Sequence, residues 1–164
     1  MRIGRWLRGV FIAGMVCLSM AGTWIAIQYF KNERAIHVLK SSARVTLLGF
    51  DASQLKDVHP LNELGQASAN FRLLNTSGKT IVALRGRATI RDLLGETIYV
   101  ATLEIQEPLG PGETLDKKTT VSGNTLYLLG VDFTRAKTAT RTSLELSWQP
   151  EVVRFESGTV VVTR

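Results

Sequence analysis

The chain has 164 residues, of which 45% are apolar and 21% are charged, and its net charge is +6. These values exclude a wholly disordered chain, a collagen, a multi-span membrane protein and a large two-domain enzyme. A single cysteine, Cys17, excludes an internal disulfide framework and a zinc site built on several thiolates.

The first thirty residues have the pattern of a membrane anchor. Residues 1–8 form a basic tail with three arginines and no acid, and residues 9–30 contain no charge. As a helix, these 22 uncharged residues would extend about 33 Å, enough to cross the roughly 30 Å hydrocarbon core of a bilayer. We therefore expect a cytoplasmic tail at residues 1–8 and a transmembrane helix at residues 9–30.

The orientation of this helix is inferred from the purely basic tail, because lysines and arginines also follow the helix and a count of positive charges does not decide it. We predict that in a bacterium the protein crosses the inner (cytoplasmic) membrane once, and that its C-terminal domain is periplasmic or otherwise extracytoplasmic, on the outer face of the membrane. The alternative is a signal peptide cleaved after Ala21, which would release a soluble periplasmic binding protein. The apolar run continues past Ala21 to Phe30 and favours an uncleaved anchor.

Small residues recur along the predicted helix at intervals of four. In lipid, a stripe of small side chains lets two helices approach closely, which supplies association energy that the hydrophobic effect does not. We therefore predict a helix-packing surface, for a protein partner or for self-association, formed by Gly9, Ala13, Gly14, Cys17, Ala21 and Gly22.

The rest of the chain divides into a juxtamembrane stalk, residues 31–43, and a domain, residues 44–164. Removing the three arginines of the first thirty residues from the 20 basic residues leaves 17, against 14 acidic residues, a net charge of +3. A charge of this size is ordinary for a soluble surface, and we expect no nucleic-acid partner.

Alternating apolar residues predict strands through most of the domain. The clear runs are Ala67–Leu73, Val82–Arg91, Tyr99–Gln106 and Leu144–Trp148, and the weaker ones are Thr114–Val121, Thr125–Phe133, Val152–Phe155 and Thr159–Val162. About seven short strands without a long amphipathic helix predict an all-β fold, an antiparallel sandwich, with a small barrel as the alternative.

The residue pattern of Val82–Arg91 and Tyr99–Gln106 predicts how these two strands pair. If Asp92 pairs with Thr97 across a four-residue loop, apolar residues meet apolar residues on one face and Arg85 meets Glu104 on the other. The predicted apolar pairs are Ile90 with Tyr99, Ala88 with Ala101 and Gly86 with Leu103.

Three segments of the domain resemble a known family. They are Phe71-x-Leu73-x-Asn75-x-Ser77-Gly78, Thr89-Ile90-Arg91-Asp92-Leu93-Leu94-Gly95 and Leu109-Gly110-Pro111-Gly112-Glu113. Together they are similar to bacterial envelope domains of the FxLyD type, over about Ala67–Val121. The resemblance implies an Ig-like sandwich on an exported or membrane-anchored protein. Arg91 departs from the pattern, because the family often has an aromatic residue there.

Residues that could carry catalysis or hold a metal are few. The two histidines, His37 and His59, have no metal-ligand spacing, and the chain lacks a nucleophile elbow and a phosphate loop. Asp51, Asp57 and Glu63 surround His59 in an acidic loop that we interpret as solvated. We therefore expect no catalytic, cofactor-binding or metal-binding residues.

One face of the predicted hairpin is the candidate partner surface. Apolar residues beside arginines on an exposed sheet are typical of a protein contact. One alternative is an anionic partner for the arginines, and another is a solvent face on which Glu104 lies near them. Ile98 and Val100 could also be covered by a loop. The sequence thus predicts a non-catalytic, membrane-anchored accessory or assembly subunit of a bacterial envelope complex, with a partner surface formed by Arg85, Arg87, Arg91, Ile98 and Val100.

Overall fold

The computed structural model describes residues 33–56, 64–139 and 144–162. The chain divides into two compact units, Met1–His37 and Val38–Arg164. Of the first unit, the structure describes residues 33–37, which belong to helix α1 (33–42). The predicted tail and transmembrane helix lie outside the described residues. Within the described part of the chain, no helix is long and apolar enough to cross a membrane.

The second unit is a β-sandwich made of two antiparallel sheets. One sheet has the strand order β1-β2-β5 and the other has the order β4-β3-β6-β7. The strands are β1 (Ala43–Asp51), β2 (Gln66–Asn75), β3 (Ile81–Asp92), β4 (Thr97–Ile105), β5 (Thr114–Ser122), β6 (Leu144–Phe155) and β7 (Val160–Val162). Two short helices, α2 (Gly123–Leu128) and α3 (Phe133–Thr138), connect β5 to β6. The predicted all-β sandwich is confirmed, and its sheets are separate rather than closed into a barrel.

The core lies between the two sheets because alternate residues of each strand point inward. Tyr99 of β4 connects the sheets. Its ring meets that of Phe50 on β1 edge-on, with ring centroids 5.6 Å apart. Its hydroxyl lies 2.9 Å from Oγ1 of Thr119 on β5, so the buried phenol has a hydrogen-bond partner.

The pairing of β3 with β4 follows the predicted register along most of its length. Ile90 lies opposite Tyr99, and Arg85 lies opposite Glu104. At the turn the register differs, because Thr97 pairs with Arg91 and Ile98 is an extra residue on β4. A bulge of this kind re-aims a side chain, and Ile98 is only 1% exposed. Ile98 is therefore covered and is not available as part of an exposed partner surface.

The segment Thr125–Phe133, predicted as a weak strand, forms most of α2 and the start of α3. The side chains of Ser122 and Asp132 accept hydrogen bonds from backbone amides in the first turns of these helices. Such N-caps favour helix over strand at both positions. The helices close one end of the sandwich with the buried side chains of Leu126, Phe133 and Ala136.

Two predicted strands near the C-terminus are one strand. Leu144–Trp148 and Val152–Phe155 both belong to β6, which pairs with β3 from end to end. The register shifts where Gly86 pairs with Pro150 and Arg85 pairs with Val152, so Glu151 is the additional residue. Strand β6 therefore continues through its proline by way of a bulge, the position in a sheet at which proline is tolerated.

The sandwich unit also begins earlier than predicted. It starts at Val38 rather than at residue 44, and Leu39 and Ser42 of the predicted stalk are buried. The backbone of this segment is hydrogen-bonded to the sandwich, because the carbonyl of Ser42 accepts from the amide of Thr76 at 3.0 Å. Strand β1, which follows directly, is not among the predicted strands.

A buried amide organises the end of the sandwich at which the chain enters β1. Asn75, the last residue of β2, is 1% exposed and pairs with Ala43. Its Nδ2 donates to the carbonyls of Lys79 and Leu109, at 2.9 and 2.8 Å. Its Oδ1 accepts from both the amide and the hydroxyl of Ser77, at 2.9 and 2.7 Å. Both donors and both acceptor sites of the side chain are therefore used.

The backbone of Asn75 extends this network to the turn before β5. Its amide donates to Glu113 O at 3.0 Å, and its carbonyl accepts from the amide of Gly112 at 2.9 Å. Within that turn, Oε2 of Glu113 accepts a hydrogen bond from the amide of Gly110. One residue thus fixes the β2–β3 turn against the segment between β4 and β5.

Replacing Asn75 with alanine should lower the free energy of unfolding by roughly 2–4 kcal/mol, because several buried polar groups lose their partners together. The matched control is Asn70→Ala, which removes the same side chain from an exposed position on the same strand. Thermal denaturation of the full chain in mild detergent measures both. Equal melting temperatures for the two variants would contradict the structural role of Asn75.

Candidate protein-contact surfaces

The predicted functional residues fall into two groups with different outcomes. The helix-packing stripe (Gly9, Ala13, Gly14, Cys17, Ala21 and Gly22) lies entirely outside the described residues. The structure places Arg85, Arg87 and Arg91 together on the outer face of the β4-β3-β6-β7 sheet, all three exposed. Val100 shares this face and is half-buried. We refer to these four residues as the arginine face.

The arginine face is electrically balanced by the neighbouring strands. Glu151 of β6 lies 3.4 Å from Nε of Arg85 and 4.0 Å from Nη2 of Arg87. Glu145 pairs in register with Arg91, and Glu104 pairs with Arg85. A surface with carboxylates this close does not present the uniform positive potential that attracts polyanions. The geometry suits a protein contact better than an anionic polymer.

A shallow groove of about 600 Å³ adjoins the arginine face near the start of β3. Its apolar lining comes from four strands: Ala83, Leu84, Ile105, Val152 and Val160. Arg85, Glu104 and Arg154 supply charged groups around it. The groove is open to solvent, and its charges include both signs.

The predicted acidic loop is only partly described. Asp57, His59 and Glu63 lie outside the described residues. Asp51 accepts a hydrogen bond from the amide of Ser53, and this bond lowers the pKa of the carboxyl. In the described segments no three His, Cys, Asp or Glu side chains come together as a metal site would require.

The most exposed apolar side chains lie at the end of the sandwich opposite Asn75. Leu94 in the β3–β4 turn is 81% exposed, and Leu128 at the end of α2 is 83% exposed. The turn and the helices share this end of the sandwich, because α2 and α3 both contact β4 and an ion pair links α3 to the turn. We call this surface the apolar tip and define it as Leu93, Leu94, Tyr127, Leu128 and Leu129.

Sequence analysis missed the apolar tip, although two signals for it are present. A Leu-Leu pair occupies a turn, where polar residues are more common, and Tyr127–Leu129 is an uninterrupted apolar run beside Gly130. Each signal suggests an exposed hydrophobic group only after the strands on either side are assigned.

Asp92 fixes the turn that carries part of the tip. Its Oδ1 accepts hydrogen bonds from the amides of Leu94 and Glu96, at 2.9 and 3.0 Å. Its Oδ2 accepts from Nε of Arg135 at 3.0 Å and also from Nη2 of that guanidinium. The carboxylate therefore joins the β3–β4 turn to α3, and it holds the exposed leucines on a defined backbone.

Opposing influences set the pKa of Asp92. Partial burial is the largest of them and acts to raise the pKa. The guanidinium of Arg135 and the amides of Glu96 and Leu94 stabilise the ionised form and together outweigh burial. The pKa of Asp92 consequently lies below its usual value, so the ionised carboxylate contributes to stability above the pKa of an unfolded aspartate.

No protein-family model matches the chain, and no curated protein matches it. Among solved structures, the chain is similar to the X-ray structure of Northeast Structural Genomics Consortium target SoR45, with 12% sequence identity and a TM-score of 0.39. The similarity covers 75% of this chain and 82% of that chain. At this identity and TM-score the similarity assigns no function.

Asp92→Asn should destabilise the sandwich at pH 7, because the amide cannot accept from Arg135 as a charged carboxylate does. The contribution of wild-type Asp92 is lost as the pH falls through its lowered pKa. The stability difference between wild type and variant should therefore shrink below about pH 4. Melting temperatures measured from pH 7 to pH 2.5 test this expectation.

Glu96→Gln is the matched control, since it removes an exposed carboxylate from the same turn and leaves the Asp92–Arg135 pair intact. This variant should melt close to wild type across the pH range. A constant difference between Asp92→Asn and wild type at every pH would contradict the assigned role of the ionised carboxylate.

Proposed function

We propose that the chain is a non-catalytic accessory or assembly subunit of a bacterial envelope complex, held in the inner membrane by residues 9–30 with its sandwich in the periplasm. The observation that carries the protein-contact role is the apolar tip. Of the nine large hydrophobic side chains exposed among the described residues, five belong to the tip. Such a concentration of exposed apolar groups is typical of a surface that another molecule covers.

The position of the tip favours this role. The chain enters the sandwich beside Asn75, where β1 begins, and β3 then runs the length of the sandwich to Asp92. The tip is thus at the end of the sandwich farthest from the chain entry. The start of β1 therefore does not cover the tip.

The order of the strands supports an Ig-like assignment. If β1 to β7 are lettered A to G, strands A, B and E form one sheet and D, C, F and G form the other. An Ig constant-type domain has the sheets ABED and CFG, so the two arrangements differ only in the partner of strand D. Here D pairs with C through the β3–β4 hairpin.

The resemblance to FxLyD-type envelope domains is supported by what its motif residues do. Asn75 and Ser77 form the buried amide network, and Asp92 fixes the turn after β3. Glu113 accepts a hydrogen bond from Gly110 and so closes the third motif on itself. All three motifs hold turns, which fits a family defined by its scaffold and leaves the exposed surfaces to carry recognition.

Retention of the anchor is the first functional prediction. The unbroken apolar run through Phe30 should keep the mature N-terminus near Met1, and the protein should leave the membrane fraction only with detergent. Sequencing of the purified N-terminus and fractionation test this, and a reporter fused after Arg164 tests the topology. A soluble protein starting at Gly22 would instead favour the periplasmic binding protein.

Leu94→Ser combined with Leu128→Ser should remove at least 90% of the co-purifying partner while leaving melting unchanged, because both side chains are exposed. Affinity purification in mild detergent with quantitative mass spectrometry measures the loss. The control is Val162→Ser, which removes an exposed apolar residue away from the tip and outside the groove.

Ala13→Ile with Ala21→Ile tests the contribution of the helix stripe in the same assay. Isoleucine is at least as apolar as alanine, so insertion should persist while close helix packing is lost. Unchanged partner ratios in both the tip variant and the helix variant would contradict the proposed accessory role at these surfaces.

A further inference from the structure

One long edge of the β4-β3-β6-β7 sheet is open. Strand β6 pairs with β3 along its full length on one side. On the other side β7 pairs only with Val152, Val153 and Arg154. Among the described residues no strand pairs with the earlier part of β6 on that side. Pro150 has no amide proton to donate, so we define the β6 edge as Leu144–Gln149.

The side chains of the β6 edge alternate between two environments. Leu144, Leu146 and Trp148 point toward the core yet are only half-buried, and the residue after each of them is exposed. Six residues of strand extend about 20 Å, a length common for paired strands in globular proteins. An added strand would cover the open flank of these three apolar residues and satisfy the backbone groups beside them.

The edges of β1, β4 and β5 carry features that discourage strand addition. Strand β4 has a bulge at Ile98. Strand β1 has a register shift between Leu47 and Gly49. Strand β5 places Lys117 on its core-facing side, opposite Phe71. Bulges and inward charges are established means of protecting an edge. The β6 edge has neither between Leu144 and Gln149.

We propose that the β6 edge pairs antiparallel with the β6 edge of a second copy of this chain. The proposal rests on the open edge and goes beyond the proposed function, on which it does not depend. When the second copy is antiparallel and shifted by one residue from end-to-end alignment, apolar residues of the segment lie opposite apolar residues and polar opposite polar. Two copies would join their four-stranded sheets into one continuous sheet across a two-fold axis.

Only registers that keep apolar side chains on the core face are compatible with the pleat. In one of these, Leu146 lies opposite itself and Glu145 lies opposite Ser147 of the second copy. In the other, Ser147 lies opposite itself and Glu145 lies opposite Gln149 of the second copy. A third would oppose Glu145 to itself, and like charges directly opposite are destabilising. A fourth would oppose Trp148 to itself and bring Pro150, which has no amide proton, opposite Leu146. Each favoured register therefore gives apolar cross-strand pairs without a charge conflict.

Ser147→Glu tests the proposal because Ser147 is exposed and its replacement leaves the core intact. The variant places two carboxylates opposite each other in either favoured register. The dimer should therefore weaken, with a Kd roughly tenfold higher than that of the wild type. The full chain is studied in mild detergent by sedimentation over a range of concentrations. The matched control is Thr120→Glu, an exposed residue on the β5 edge, which should leave the wild-type dimer unchanged.

Both variants are also made with Ala13→Ile and Ala21→Ile, so that association through residues 9–30 is separated from association through β6. The proposal is supported if the chain with only the two isoleucine substitutions still forms a dimer, and if adding Ser147→Glu dissociates that dimer. A monomer at every concentration, or equal behaviour of Ser147→Glu and Thr120→Glu, overturns it. These outcomes are independent of whether the tip variant loses its partner.

Ser147→Lys then distinguishes the two registers. Lysine opposite Glu145 would tighten the dimer, whereas lysine opposite itself would weaken it. A change in either direction supports pairing at this edge and identifies the register. No change in Kd overturns the proposal, because Ser147 would then lie outside the contact.

Discussion

The amide of Asn75 sits where β2 ends, where the chain enters β1 and where the segment before β5 crosses. A buried side chain with two donors and two acceptors is costly unless all of them are used. Here every one has a partner, and the partners belong to two different segments of the chain. This requirement fixes the β2–β3 turn relative to the loop between β4 and β5. The hydrogen bonds of Asn75 therefore help to set the position of one sheet against the other at this end of the sandwich.

The opposite end is held by a charged group rather than by an amide. Asp92 meets Arg135 and the amides of its own turn, and the pair remains partly exposed. The two ends therefore differ in their response to conditions. The Asn75 network has no titrating group in its centre, whereas the Asp92 network weakens in acid. The apolar tip lies at the end that the Asp92 network holds.

The sequence predicted the β3–β4 hairpin well because two independent signals agreed. The turn residues and the alternation of both strands allowed a single register, and the structure has that register except at the bulge. Ile98 was misplaced because a bulge inserts a residue without altering the apolar pattern of its neighbours. The Thr125–Phe133 segment was misassigned because its apolar run is too short to distinguish periods, and only the caps at Ser122 and Asp132 indicate helix.

Candidate surfaces were harder to predict than the fold, for a physical reason. The sequence of one strand identifies its arginines, but it does not identify the strands that pair with it in the sheet. Glu151 and Glu145 come from β6, far along the chain, and the fold places them beside the arginines of β3. The tip is likewise assembled from two distant segments, the β3–β4 turn and α2. Such surfaces arise from topology, and topology is known only once the register of every strand is fixed.

The exposed charges contribute less to stability than the buried network does. Residues that hold the fold are therefore different from residues that could bind a partner. Pairs such as Arg72 with Asp116 and Arg85 with Glu151 are solvated on the outer faces, where ion pairs contribute little. Leu94, Leu128 and Ser147 are also exposed, so their replacement removes few native contacts. Because the turns and the core hold the sandwich, these outer positions are free to change without unfolding it. Loss of association in a variant that melts like wild type would therefore identify a contact surface rather than a damaged fold.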